Sequence, residues 1–163
     1  MLPGRVGVTS VAVIAVGMLL GASTYESVVM APNYAAQVPQ SLEHIRAFFV
    51  STNPGMLFRI LAPATQVLLV LAVLLNWRVR GARWWLVGAL FALALADVIT
   101  FTVHYPRNEL LFIRPLGEVP VARLTEAALE WGRWNHARTG LLAAAAVSSL
   151  QGLSWSWRAT VQP

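Results

Sequence analysis

Asp97-Val-Ile-Thr-Phe-Thr-Val-His-Tyr-Pro-Arg-Asn108 closes a long apolar run and puts an acid, a threonine, a histidine and an asparagine at its end. At about 3.6 residues per turn, Asp97, Phe101, His104 and Asn108 fall on one stripe of a helix, with Thr100 at its edge. Pro106 is expected to break that helix, which leaves the phase of Asn108 less defined than that of His104. Ionisable side chains within a lipid-compatible segment are costly, so such a stripe reads as a functional site facing protein or water.

Outward from this stretch the chain stays apolar. Of its 163 residues, 57% are hydrophobic and only 12% charged, with a mean hydropathy of +0.61. That composition excludes an ordinary soluble domain and points to a small integral membrane protein. The runs 6–28, 57–77, 84–104 and 136–155 each supply the roughly 20 residues that a helix rising about 1.5 Å per residue needs to cross the hydrocarbon core. No barrel-length segment alternates apolar and polar residues, so sheet is not expected. The expectation is an all-α integral membrane four-helix bundle, one domain over residues 1–163, with an extra amphipathic helix in the second outer connection. Cysteine is absent, which removes disulfide and thiolate chemistry. Every basic residue is an arginine, scattered between apolar runs rather than gathered in a stripe, so the pI near 11.1 does not indicate nucleic acid. Membrane lipid and a small molecule are the expected partners, with a homo-oligomer left open.

The first run also has signal-peptide features: Arg5 precedes the apolar core, and Gly21-Ala-Ser23 resembles a cleavage site. Its length, and Tyr25-Glu26 directly after it, favour a span. Within it Gly17 and Gly21 form a small-xxx-small pair that would admit a neighbouring helix. Tyr25 continues the glycine face, and Glu26 stands about 100° round from it. Pro32, Pro39 and Pro54 punctuate the first connection, where residues 41–50 can form a short interfacial helix with Leu42, Ile45 and Phe49 on one face. Arg59, Pro63 and Gln66 share a stripe of the second span, and Pro63 is expected to kink it. In the second connection residues 118–133 look amphipathic, with Arg123, Glu126, Glu130 and Arg133 toward water.

The link 78–83 is short, basic and free of acids, and Trp77, Trp84 and Trp85 flank it as an interfacial belt. Placing it in the cytoplasm puts both termini there too, so that side holds five arginines (Arg5, Arg78, Arg80, Arg83 and Arg158) and no acid. Glu26, Arg59, His104, Asn135, His136 and Arg138 then gather at the extracytoplasmic end, with Asp97 and Gln66 about 10 Å deeper by helical rise. Each has a plainer reading. Arg59 and Arg138 can snorkel to headgroups, and His104 can be an interfacial histidine. Asp97 is harder to dismiss, since a carboxylate midway into a span costs at least roughly 2.5–3.5 kcal/mol unless paired or protonated. Glu26, His104 and His136 together have the chemistry of an iron, zinc or copper site, although no HxxxH or ExxH spacing supports one.

Several short elements resemble those of the anthrone oxygenase-like family of small four-span membrane proteins. They are Gly17 and Gly21 followed by Pro32-Asn-Tyr34, then Asn53-Pro54, then Thr100 with Pro106-Arg-Asn108-Glu-Leu110, and Trp131-Gly-Arg-Trp-Asn135-His-Ala-Arg138. The resemblance runs over about residues 10–150 and implies the fold more firmly than the activity. It implies an enzyme that turns an anthrone of aromatic polyketide origin into the quinone with molecular oxygen, no cofactor being required. On that reading His104 or Asp97 removes the benzylic proton, and Arg59, Arg138 and Asn108 stabilise the oxyanion. Glu26 and Asn135 orient the base or its proton path, and Tyr25, Gln66, Trp131 and Trp134 line the substrate. The competing readings are a metal-dependent oxidase on Glu26, His104 and His136, and a non-enzymatic carrier or subunit. A carrier is expected to show an inverted repeat and polar residues in both halves, and this chain has neither.

Overall fold

In the computed structural model, which describes residues 4–161, the chain is an all-α membrane helical bundle. Residues 1–3 and 162–163, which the single-domain reading includes, lie outside the described residues. Five helices follow in order: α1 (Gly4–Ala35), α2 (Gln40–Phe48), α3 (Pro54–Leu75), α4 (Arg80–Ile113) and α5 (Val121–Val161). Of these, α1, α3 and α4 are long and apolar enough to cross a membrane. The four long helices close a ring in which α1 and α4 each pack against both α3 and α5. Large side chains such as Ile14, Met18, Ile60, Val67, Leu74 and Phe91 stay exposed around it. In water such a surface would aggregate, whereas lipid solvates it.

Both described termini sit at one end, here called the terminal end. Arg5 Nη2 donates to the Ala159 carbonyl at 2.7 Å and to Thr160 Oγ1 at 2.8 Å. The tight turn between α3 and α4 lies there as well, since the buried Asn76 donates to Thr9 Oγ1 at 3.1 Å and to the Ala72 carbonyl at 2.9 Å. The other end is the distal end.

Helix lengths differ in a way that shapes that distal end. At about 1.5 Å per residue, the 22 residues of α3 span about 33 Å, matching a hydrocarbon core of about 30 Å. The 32 residues of α1, 34 of α4 and 41 of α5 run about 48, 51 and 62 Å and project well past α3. Two apolar cores result. One fills the membrane-height bundle around Val16, Leu19, Leu69, Leu86, Leu93 and Leu142. The other lies under α2 and joins Tyr34, Leu42, Leu111, Leu124 and Trp131. Arg46 of α2 ties this cap down by donating to the Leu111 carbonyl at 2.7 Å and the Arg114 carbonyl at 2.8 Å, which satisfies the end of α4.

Several expectations are corrected. The amphipathic stretch 118–133 is no separate helix: α5 is continuous over 41 residues, because nothing stronger than an isolated glycine interrupts it. Pro106 does not end α4. A π turn at Thr100–His104, closed by the Tyr105 N–H on the Thr100 carbonyl, directly precedes it. The same device, Glu26–Met30 closed by Ala31 N–H on the Glu26 carbonyl, precedes Pro32 in α1. A widened turn accommodates the bulk and the missing donor of each proline. It also shifts the phase of α4, so Phe101 leaves the inward stripe and is 62% exposed, while Ala96 and His104 are buried on it. Pro63 lies within an uninterrupted α3.

Gly17 and Gly21 face outward, and a Cβ at either would meet nothing within 4 Å. The close approach is made elsewhere. A Cβ at Gly152 would lie 2.7 Å from the Leu86 side chain and 3.5 Å from the Ala82 carbonyl, where α5 crosses α4. Gly152→Leu should therefore destabilise the bundle by about 1–3 kcal/mol through overpacking. Gly17→Leu should change little, and thermal unfolding of both variants in one detergent checks the contrast.

Candidate polar layer between two apolar cores

Between the two cores runs a buried layer of polar side chains. Glu26 stands in the π turn of α1 with Ser27, and Ser23 lies one turn earlier. His104 closes the π turn of α4, with Thr100 at its start. Asn135, Arg138 and Thr139 come from α5, and Gln66 with Phe58 from α3. Local sequence explains the meeting of α1 and α5: Ser23 and Ser27, like Asn135 and Thr139, are four apart and so share a helix face. The faces interlock, with Thr139 Oγ1 at 2.7 Å from Ser23 Oγ and 2.8 Å from Ser27 Oγ, and Asn135 Nδ2 donating to Ser27 Oγ at 2.8 Å.

Arg138 lies at the middle of the layer, 6% exposed. Its guanidinium sits 4.7 Å over the Phe58 ring and reaches Thr100 Oγ1 only at 3.5 Å. Glu26, Asp97 and His104 are all near enough to feel its charge, yet among the described residues it forms no direct ion pair. Asp97 accepts a hydrogen bond from Gln66 instead. Glu26 Oε2 accepts one from Tyr34 at 3.3 Å. His104, 1% exposed, has its ring centroid 4.9 Å from that of Trp131.

Several buried polar atoms of this layer have no hydrogen-bond partner within the protein: Glu26 Oε1, both ring nitrogens of His104, Asn135 Oδ1 and Arg138 Nε. Each such atom ordinarily costs about 1–3 kcal/mol. They cluster in this one layer, and water or a bound molecule can satisfy each of them. Chemically the layer offers an imidazole, a planar cation and two carboxylates between the two apolar cores.

Residues 48–148 match the anthrone oxygenase family. The chain belongs to this family. No significant match is found among curated proteins or among solved structures. The matched residues contain Phe58, Gln66, Asp97, Thr100, His104, Asn135, Arg138 and Thr139. They begin after Glu26, Ser27 and Tyr34, so the α1 side of the layer lies outside the family match.

Within this family member, the expected site residues separate into those the fold assembles and those it does not. Glu26, Gln66, Asp97, His104, Asn135 and Arg138 all belong to the layer. Trp131 is buried beside His104 and donates from Nε1 to Asn108 Oδ1 at 2.8 Å, so Asn108 holds the tryptophan rather than facing Arg138 directly. Arg59 is exposed, and among the described residues its one hydrogen bond is to Met56 Sδ, at 3.9 Å. Tyr25 and Trp134 are 55% and 44% exposed and face outward. His136 is exposed one position past the inward Asn135, and among the described residues no three His, Cys, Asp or Glu side chains gather as a metal-binding group. The triad Glu26, His104 and His136 is therefore not assembled.

Sequence reasoning passed over Ser23, Ser27, Tyr34, Phe58 and Thr139. The paired i, i+4 polar residues on two helices were the available clue for three of them. Nothing local marked Phe58, whose role depends on where Arg138 lands. Glu130, expected to face water, is partly exposed and also pairs with Arg107.

Proposed function

We propose that this chain is a membrane-embedded oxygenase that uses the polar layer to convert an anthrone-type phenolic carbon acid and molecular oxygen into the quinone. The observation that carries the reading is the buried His104 imidazole, unpartnered at both nitrogens, beside the equally buried Arg138. His104 takes one benzylic proton, and Arg138 receives the phenolate oxyanion that develops as the ring conjugates. The electron-rich anion passes one electron to oxygen, and recombination at the benzylic carbon gives a peroxide anion that regains a proton. Removal of the second benzylic proton with cleavage of the O–O bond yields the carbonyl and water. The methylene thus becomes a carbonyl, one oxygen atom enters the product, and the other leaves as water. Glu26, which accepts a hydrogen bond from Tyr34, returns the proton. Asp97 with Gln66 is the alternative base.

An apolar groove of about 750 Å³ beside the start of α3, lined by Phe48, Phe49, Met56, Leu57 and Ile60 among others, supports arrival of a hydrophobic substrate from the membrane. Phe58, whose ring underlies Arg138, follows the groove residue Leu57 in α3. Purified protein should accelerate oxygen uptake with an anthrone, and the rate should persist in a strong chelator. Loss of rate on chelation with recovery on added iron or copper would replace the cofactor-free route. No uptake with any such substrate would leave the carrier or subunit reading.

The fourth crossing belongs to the same proposal: α5 runs the full height of the bundle beside three helices able to span, and both termini face the cytoplasm with the layer toward the outer side. Single cysteines at Arg78, exposed in the α3–α4 turn, and at Gly117, exposed at the distal end, should label from opposite faces of sealed cells. Arg78→Cys should be protected in intact cells, and labelling of it from outside would invert the orientation.

A further inference from the structure

The terminal end carries a second group of residues that the oxygenase reading leaves idle. Five of the seven tryptophans are here: Trp77, Trp84, Trp85, Trp155 and Trp157. A groove of about 510 Å³ opens between Arg80, Gly81, Trp84, Trp85 and Trp155, so three indole rings and one cation form its walls. Gly81 makes this shape possible, because a Cβ there would lie 2.5 Å from Trp155 Cδ2 and displace the ring that forms one wall. The cations are placed on the same rings. The Arg83 guanidinium lies 4.9 Å from the Trp77 centroid and 5.1 Å from that of Trp84, and Arg158 lies 5.7 Å from Trp155. Arg83 Nε is buried without a partner. The arginines of this end, Arg5, Arg78, Arg80, Arg83 and Arg158, have no Asp or Glu side chain there, since all seven of those residues lie toward the other end.

A topology signal needs positive charge near the membrane surface, but it does not need the charge stacked around one apolar groove. An uncompensated cationic rim on an indole-walled groove at the membrane boundary is complementary to a molecule with a negative head and a hydrocarbon tail. Tryptophan rings suit the glycerol and upper acyl region, being apolar in body and polar at Nε1. We propose that this groove binds one anionic phospholipid, its phosphate held by Arg80 and Arg83 and the upper part of one acyl chain lying on Trp84, Trp85 and Trp155. The site is independent of the oxygenase chemistry and of which leaflet the terminal end faces.

Tryptophan quenching tests it on the full chain. The protein is reconstituted in phosphatidylcholine vesicles containing brominated phosphatidylglycerol or, in parallel, brominated phosphatidylcholine at equal mole fraction. The anionic lipid should quench at several-fold lower mole fraction. An arginine near an anionic lipid surface contributes about a fivefold gain in binding, so Arg80→Gln/Arg83→Gln should lose most of the preference. Arg78→Gln, outside the groove walls, should keep most of it, and circular dichroism checks that both variants remain helical. Equal quenching of the unmodified protein by the two lipids overturns the proposal without recourse to any variant. Equal loss in Arg78→Gln reduces the effect to diffuse charge and also overturns it. Relief of quenching by soluble glycerol phosphate would assign the arginines to a free anion and overturn the lipid.

Discussion

Arg138→Gln is expected to lower oxygen uptake with an anthrone by about 10²–10³, the range found when a preorganised oxyanion partner is removed from a dry site. The effect should fall on kcat more than on KM, because the charge it stabilises develops as the proton leaves. Arg138→Lys should recover part of the rate, since an ammonium keeps the charge but lacks the planar fork that can rest on Phe58 and reach two acceptors. The guanidinium also offsets the negative charge of Glu26 and Asp97. Removing it alone leaves the two carboxylates without a nearby cation, although no direct ion pair is broken. Glu26→Gln/Arg138→Gln should therefore unfold at a higher temperature than Arg138→Gln while remaining inactive. If the double variant regained activity along with stability, Arg138 would be only a structural partner of Glu26.

His104→Ala should cost a further characteristic of the reaction, its pH dependence. Loss of a positioned base typically removes about 10²–10⁴ in rate, and the sign of the profile identifies which base was lost. With the base in place, the rate rises as pH climbs through its ionisation and then levels. In His104→Ala that rise should disappear, leaving a small residual rate that follows only the acidity of the substrate. Asp97→Asn should keep the rise, because Asp97 is engaged by Gln66 whereas the His104 nitrogens have no partner. A profile flattened in Asp97→Asn and preserved in His104→Ala would exchange the two roles. Trp131→Phe separates positioning from chemistry: it loses the hydrogen bond to Asn108 but keeps a ring against His104, so it should lower the rate without altering the shape of the profile.

The sites where local reading held and where it failed differ in kind. Asp97, His104 and Arg138 were recognisable because an ionisable group within an apolar run carries a large transfer cost, and that cost is visible without knowing any neighbour. Glu26 and Asn135 were placed at the same end by counting helix lengths. Tyr25, Arg59, Trp134 and His136 were grouped with them chiefly on depth. Depth is shared by every face of a helix, and these four face outward. Gly17 and Gly21 failed for the same reason: small-xxx-small spacing permits a close approach but does not say which helix comes. The prolines misled in the opposite direction, because a helix can absorb Pro32 or Pro106 by widening the preceding turn.

By itself the amino-acid sequence determined that this is an all-helical membrane protein with its ionisable residues biased to one end, since length, hydropathy and the cost of charge in lipid act one residue at a time. It determined a short connection before the third long run, which the structure places at residues 76–79 rather than 78–83, and the helix of the first connection for the same reason. Only the tertiary structure decided that the polar residues form one layer between two cores, that α5 continues without a break, and that Arg138 stands over Phe58. Those outcomes depend on helical phase. A single π turn alters phase in proportion to the one residue it adds, and it is set by packing against neighbouring helices rather than by local preference.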